Sequence, residues 1–177
     1  MSLHLGSPRR SRNVLTSLTR SSGQAVVEFT LVFLIFLVIA WIPADFGLAF
    51  YTAQLAQNAS RDGARIAAAD PKLGSGTLPG VTWTTTCTMP SCSGNILGET
   101  AARISSALLP GATITVTLDP DSVPPDLPKC DRKVTVTVSG TYNYFFYHLL
   151  EALGNTVPDT LNIVRSTRMR WEHQFGC

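Results

Sequence analysis

At 177 residues the chain has room for one domain plus an anchor, and a net charge of +2 gives no signal for nucleic acid as a partner. Only 15% of its residues are charged, which is low for a freely soluble protein and points to a membrane segment. With the first seventy residues set aside, about a hundred remain, enough for a small core.

Residues 1–22 are rich in Ser, Arg and Gly without periodicity and read as a disordered leader. Arg9, Arg10, Arg12 and Arg20, with no acid before Glu28, predict that this end stays in the cytoplasm and that the C-terminal part lies outside it. Gly23-Gln24-Ala25-Val26-Val27-Glu28-Phe29 then runs straight into an apolar stretch ending at Ile42. A carboxylate near a membrane core costs on the order of 2.5–3.5 kcal/mol, so Glu28 is expected to have a partner or a function. The unbroken apolar run Phe29–Ile42, Thr30 excepted, is short for a span, which needs about 20 residues. Extending it from Gln24 to about residue 50 gives ample length, with Phe29, Leu31, Phe33, Leu34, Phe36, Leu37, Trp41 and Pro43 as the membrane packing surface. Pro43 is expected to kink the helix rather than end it, and Asp45 to sit near the outer interface within reach of water. One helix is predicted from Gln24 to Ala69, about 70 Å at 1.5 Å per residue, its alanine-rich second half suited to close packing of neighbours. Asp70-Pro71 and the glycines that follow stop it.

The glycine, the carboxylate five residues later and the apolar helix together resemble the signal of type IV pilin-like proteins, in particular the TadE/TadF family of pilus-assembly proteins. Tyr51 to Ala69, with its Arg61-x-x-Ala64-Arg65 pattern, resembles the second half of a TadE-type helix, and Glu28-Phe29 is similar to the Glu-Tyr pair of small Flp pilins. The resemblance implies a minor pilin or pseudopilin of a Tad/Flp-type pilus or related secretion system. A prepilin peptidase would cut between Gly23 and Gln24, and Glu28, fifth in the mature chain, would face the free amine of a neighbouring subunit. Opposite charges in an apolar medium attract strongly, and each alone is expensive. The implied partners are other pilins or pseudopilins, the prepilin peptidase, an inner-membrane assembly platform and membrane lipid. Gln24 departs from the Phe common at the start of many mature pilins. Two other readings stand beside this one. The first is an uncleaved single-pass anchor carrying a binding module that uses the 71–94 loop. The second is a Sec signal peptide cut near Gly47-Leu48-Ala49, against which the position of Glu28 argues.

Residues 71–94 read as a long Gly/Pro/Thr/Ser loop, and loops of that length are usually functional or stapled. A helix follows, with Asn95 as N-cap, Leu97, Ala101, Ile104 and Leu108 at helical spacing, and Pro110-Gly111 as the stop. Thr113–Leu118 and Val134–Ser139 alternate strictly and read as strands, the second with a bulge at Gly140 and a continuation through Tyr144. Between them lies a proline-rich turn region from Asp119 to Pro128. A third strand from Leu161 to Trp171 puts Leu161, Ile163, Met169 and Trp171 on one side. Phe145–Gly154 is unusually apolar for a connection and reads as a short covering helix or as a contact surface for membrane or a neighbouring subunit. The expected fold class is α+β: a long N-terminal transmembrane helix (24–70, after a leader 1–23) carrying a head over 71–177 with a three-stranded antiparallel sheet and one packed helix.

Cys87, Cys92, Cys130 and Cys177 all fall on the expected outer side, where disulfides persist. Three pairings are possible. If the second and third strands pair antiparallel, Cys130 and Cys177 extend beyond the same edge, which favours Cys130–Cys177 with Cys87–Cys92 stapling the loop. A zinc site is the competing reading, but Cys-x4-Cys is looser than most zinc knuckles. No phosphate-cradling Gly-Lys-Ser/Thr loop occurs, and His4, His148 and His173 stand alone. A pairing of Cys177 with His173 as nucleophile and base is formally possible, yet surface histidines and disulfide cysteines explain both. No catalytic residue, cofactor or metal is expected. Arg165, Arg168 and Arg170 read as the solvent face of a strand, with Glu172 in reach of one of them.

Overall fold

In the computed structural model, the described residues are 18–75, 81–119, 132–145, 154 and 158–173, with side chains from residue 23 onward. Cys130, Cys177, most of the leader, the proline-rich turn and nearly all of Phe145–Gly154 lie outside them.

Helix α1 spans Leu18–Ala69, so it starts ahead of the expected Gln24, and Pro43 sits inside it. The chain divides into two compact units, Met1–Ile42 and Pro43–Cys177. The second half of α1 is thus part of the folded head, for a reason visible in its side chains. Ala49, Ala53, Ala56, Ala59, Ala64 and Ala67 recur at helical spacing and are buried in one core with the sheet. The alanines do permit close packing, as the composition suggested, but the partner is the chain's own sheet.

That sheet has four strands, not three: β1 (Trp83–Thr88), β2 (Thr113–Leu118), β3 (Lys133–Asn143) and β4 (Thr160–Arg170). They run as an antiparallel meander in sequence order, with α2 (Asn95–Ala102) between β1 and β2. β1 corrects the reading of 71–94 as a loop. Its Thr-rich run has high strand propensity, and it pairs with β2 from Trp83 opposite Leu118 to Thr88 opposite Thr113. Trp83, Thr85 and Cys87 lean toward the core while Thr84, Thr86 and Thr88 are exposed. The inner face continues through Ile114, Val116 and Leu118, then Val134, Val136 and Val138, then Ile163, all buried. Leu161 shares the parity of Ile163 but is exposed at the start of the edge strand.

β3 and β4 pair without interruption from Lys133 opposite Arg170 to Asn143 opposite Thr160, so the expected bulge at Gly140 is absent. Gly140 serves a different purpose. A Cβ there would stand 2.7 Å from Leu109 Cγ, and Leu109 is fully buried. The antiparallel β3–β4 pairing itself, with Lys133 near Trp171, follows the sequence reading.

α2 also differs from expectation. Gly94, at φ 90°, is its N-cap rather than Asn95, and it ends at Ala102 instead of reaching Leu108. Its last turn tightens, with Arg103 N–H donating to Thr100 O and Ile104 N–H to Ala101 O, both over three residues. Leu109, not Leu108, then drops into the core. Cys87 and Cys92 form a disulfide that ties the end of β1 to the approach to α2. So short a closed loop contributes about 2 kcal/mol in the chain-entropy account.

The far end of α1 is capped from the other end of the head. Glu172 N–H donates to Ala68 O, Trp171 Nε1–H to Asp70 O at 3.0 Å, and His173 Nε2 lies 3.0 Å from Ala69 O. These carbonyls have no partner within the helix, so the segment after β4 replaces a glycine cap.

Candidate functional site

Two features carry functional information, an exposed apolar helix and a buried carboxylate. In the Met1–Ile42 unit, Val26, Val27, Phe29, Leu31, Val32, Phe33, Leu34, Ile35, Phe36, Val38, Ile39, Trp41 and Ile42 are all exposed, and Leu37 is half-buried. No soluble surface sustains such an array. The helix is long and apolar enough to cross a membrane. Phe29 and Phe33 stack at 5.9 Å one turn apart. Thr30, the one hydroxyl in the run, donates to Val26 O at 2.8 Å, which removes its unsatisfied donor from an apolar setting. Gly23 and Gln24, the expected cleavage pair, and Glu28 lie on the same exposed helix.

In the Pro43–Cys177 unit, Asp45 is fully buried rather than placed in water. Its Oδ1 accepts from Tyr142 Oη–H at 3.1 Å and from Phe145 N–H at 3.3 Å. Tyr142 is itself buried, makes an edge contact with Tyr144, and Tyr144 makes another with Phe46. Burial, with the hydrogen bond to Asp45 and the charge of its carboxylate adding to it, pushes the Tyr142 phenol from its ordinary 10.0 up to about 12. The neutral phenol is therefore favoured by folding. This contribution is complete below pH 10 and is lost as pH rises toward and through about 12. Alkaline titration followed by phenolate absorbance should show a late component near pH 12 from Tyr142. Tyr142→Phe should remove that late component, and its persistence in the variant would refute the assignment.

Elsewhere, Asp62 holds Arg103 at 3.0 Å and Arg65 at 3.8 Å on the head surface. Arg168 pairs with Asp119, so at least one of the three strand arginines answers an acid from the β2 end. Exposed pairs of this kind contribute little. Ser60 and Gln57 of α1 reach the Thr167 hydroxyl of β4, at 2.9 and 3.2 Å, and fix the helix against the sheet. Among the described residues, no group of three His, Cys, Asp or Glu side chains is placed to hold a metal ion. Sequence reasoning missed Asp45 and Tyr142 as a pair. The available signal was that Asp45 is the sole charge between Glu28 and Arg61, an isolated acid that needed a partner.

The architecture defines a class: an exposed apolar helix that continues into a small α+β head. Residues 23–65 match the family model described as TadE-like protein, about a quarter of the chain, and over that segment the resemblance read from the sequence holds. The match begins at Gly23 and ends at Arg65, so it covers both the exposed half of α1 and much of the half that packs on the sheet. Neither the curated proteins nor the solved structures contain a match to the chain.

Proposed function

We propose that this chain is a structural subunit of a Tad-type pilus or a related secretion system, a minor pilin or pseudopilin held in the inner membrane by α1. The observation that carries the reading is the TadE-like match over 23–65 falling on a helix whose apolar side chains are exposed from Val26 to Ile42. Such a helix is solvated by lipid before assembly and by the helices of other pilins after it. On this reading the N-terminus faces the cytoplasm, the head is extracytoplasmic, and the partners are other pilins, a prepilin peptidase and an assembly platform. The role is structural, with no catalytic step.

Processing after Gly23 requires access to a bond that lies inside α1, since the helix extends back to Leu18. Helix ends open at little cost, so the first two turns, residues 18–24, can unwind for a peptidase. Intact mass and N-terminal sequence of the protein from purified membranes test the step. A start at Gln24 supports it, and a start at Met1 or Ser2 leaves an uncleaved anchor. A start near Phe50 overturns the pilin reading.

Glu28 supplies the register charge. Glu28→Ala should leave membrane insertion intact and strongly reduce pilus output, because the free amine of a neighbour then has no counter-charge in an apolar setting. Unchanged piliation, measured as sheared surface fibre per cell, would remove Glu28 from the mechanism. The competing binding-module reading loses its proposed loop in part, since Trp83–Thr88 is committed to the sheet.

A further inference from the structure

We propose that the head itself contacts the lipid surface, through an apolar collar of Phe46, Leu48, Phe50 and Tyr51 on α1 and Phe145 just beyond β3. All five belong to the Pro43–Cys177 unit, and all are exposed, Phe50 at 67% and Phe145 at 76%. Leu48 and Phe145, with Leu108 and Pro110, also line an open groove of about 260 Å3. Four exposed aromatic side chains and an apolar groove in one small domain are uncommon on a surface meant for water.

Two observations choose lipid as the occupant. Phe46, Leu48, Phe50 and Tyr51 belong to the helix that is long and apolar enough to cross a bilayer. The burial of Asp45 also withdraws the sole charge that would interrupt it, so α1 shows no exposed charged side chain between Glu28 and Arg61. Phe and Tyr with an adjoining apolar groove suit the headgroup boundary, where an amphipathic ring keeps its hydroxyl wet and its body in the acyl region. The Asp45 hydrogen bond to Phe145 N–H then has a second effect: it holds the backbone that presents the Phe145 ring.

The inference rests on α1 crossing a bilayer, and its test separates the two. The photoreactive residue p-benzoylphenylalanine is placed singly at Phe145, Phe50, Phe36 and Thr86 of the full chain. Each variant is reconstituted in vesicles of phosphatidylethanolamine and phosphatidylglycerol, and adducts are read by intact mass. Phe145 and Phe50 should each gain the mass of one phospholipid, as Phe36 does in mid-helix, while Thr86 on the outer sheet face should not. Lipid adducts at Phe36 without any at Phe145 and Phe50, or adducts there to a second copy of the chain, overturn the collar and leave the anchor standing. Absence of lipid at Phe36 overturns the anchor and the collar with it. Equal lipid labelling at Thr86 would show nonspecific contact and also reject the collar.

Discussion

Gly63→Ala should destabilise the head by about 1–3 kcal/mol, against the usual rule that Gly→Ala within a helix stabilises by about 1 kcal/mol. A Cβ at Gly63 would stand 2.3 Å from Thr100 Oγ1 and 3.2 Å from Val136 Cγ1. Thr100 cannot simply turn aside. It is fully buried, and its hydroxyl donates to Ile96 O at 2.7 Å within α2. The added methyl must therefore push α1 and α2 apart over Val136, at the point where both helices meet the sheet. Thr100→Ala removes both atoms of that side chain that crowd Gly63, so the double variant should recover most of the loss. The Cβ would then need only a few tenths of an ångström from Val136. Thermal unfolding of the four proteins in detergent, followed by near-ultraviolet circular dichroism, gives the coupling directly. A Gly63→Ala variant as stable as the parent, or a double variant no better than the single, would show that the close approach is not a constraint.

The same contact shows what the sequence could and could not reveal. β2 and the first part of β3 were legible because Ile114, Val116 and Leu118, and then Val134, Val136 and Val138, alternate strictly with threonine or serine and meet no competing signal. β1 was hidden by its surroundings. Trp83-Thr84-Thr85-Thr86-Cys87-Thr88 has strand propensity, but it lies between glycine, proline and serine runs whose composition favours a loop. α2 was legible in kind but not in length, since Leu108 keeps helical spacing while the chain turns early and buries Leu109 instead.

For the candidate site, the division follows sequence distance. The exposed apolar run, Gly23 and Glu28 are local patterns and could be read directly, which is why the TadE-like match falls on them. The partner of the alanine stripe could not, because small residues advertise close approach without naming what approaches. Nor could the cap of α1, whose donors come from Trp171, Glu172 and His173 about a hundred residues away along the chain.

Asp45→Ala should cost the head about 2–4 kcal/mol, as expected when the buried Tyr142 hydroxyl and the part-buried Phe145 N–H lose one acceptor. Tyr142 Oη–H and Phe145 N–H both point at Oδ1 of Asp45, 97 and 100 residues away in sequence. Alanine removes that acceptor at a position with no exposure. Asp45→Asn keeps an oxygen in the same place and should restore most of the stability, which separates loss of the acceptor from loss of the charge. The experiment also decides between two pictures of α1. If Asp45 stood at an aqueous membrane boundary, as its position in the sequence alone suggests, alanine there would be close to neutral and asparagine no better. If the carboxylate is the buried fastening between α1 and the end of β3, alanine unfolds the head at lower denaturant while asparagine does not. Denaturant unfolding of the full chain in mild detergent distinguishes them, and equal midpoints for the parent and Asp45→Ala would discard the fastening.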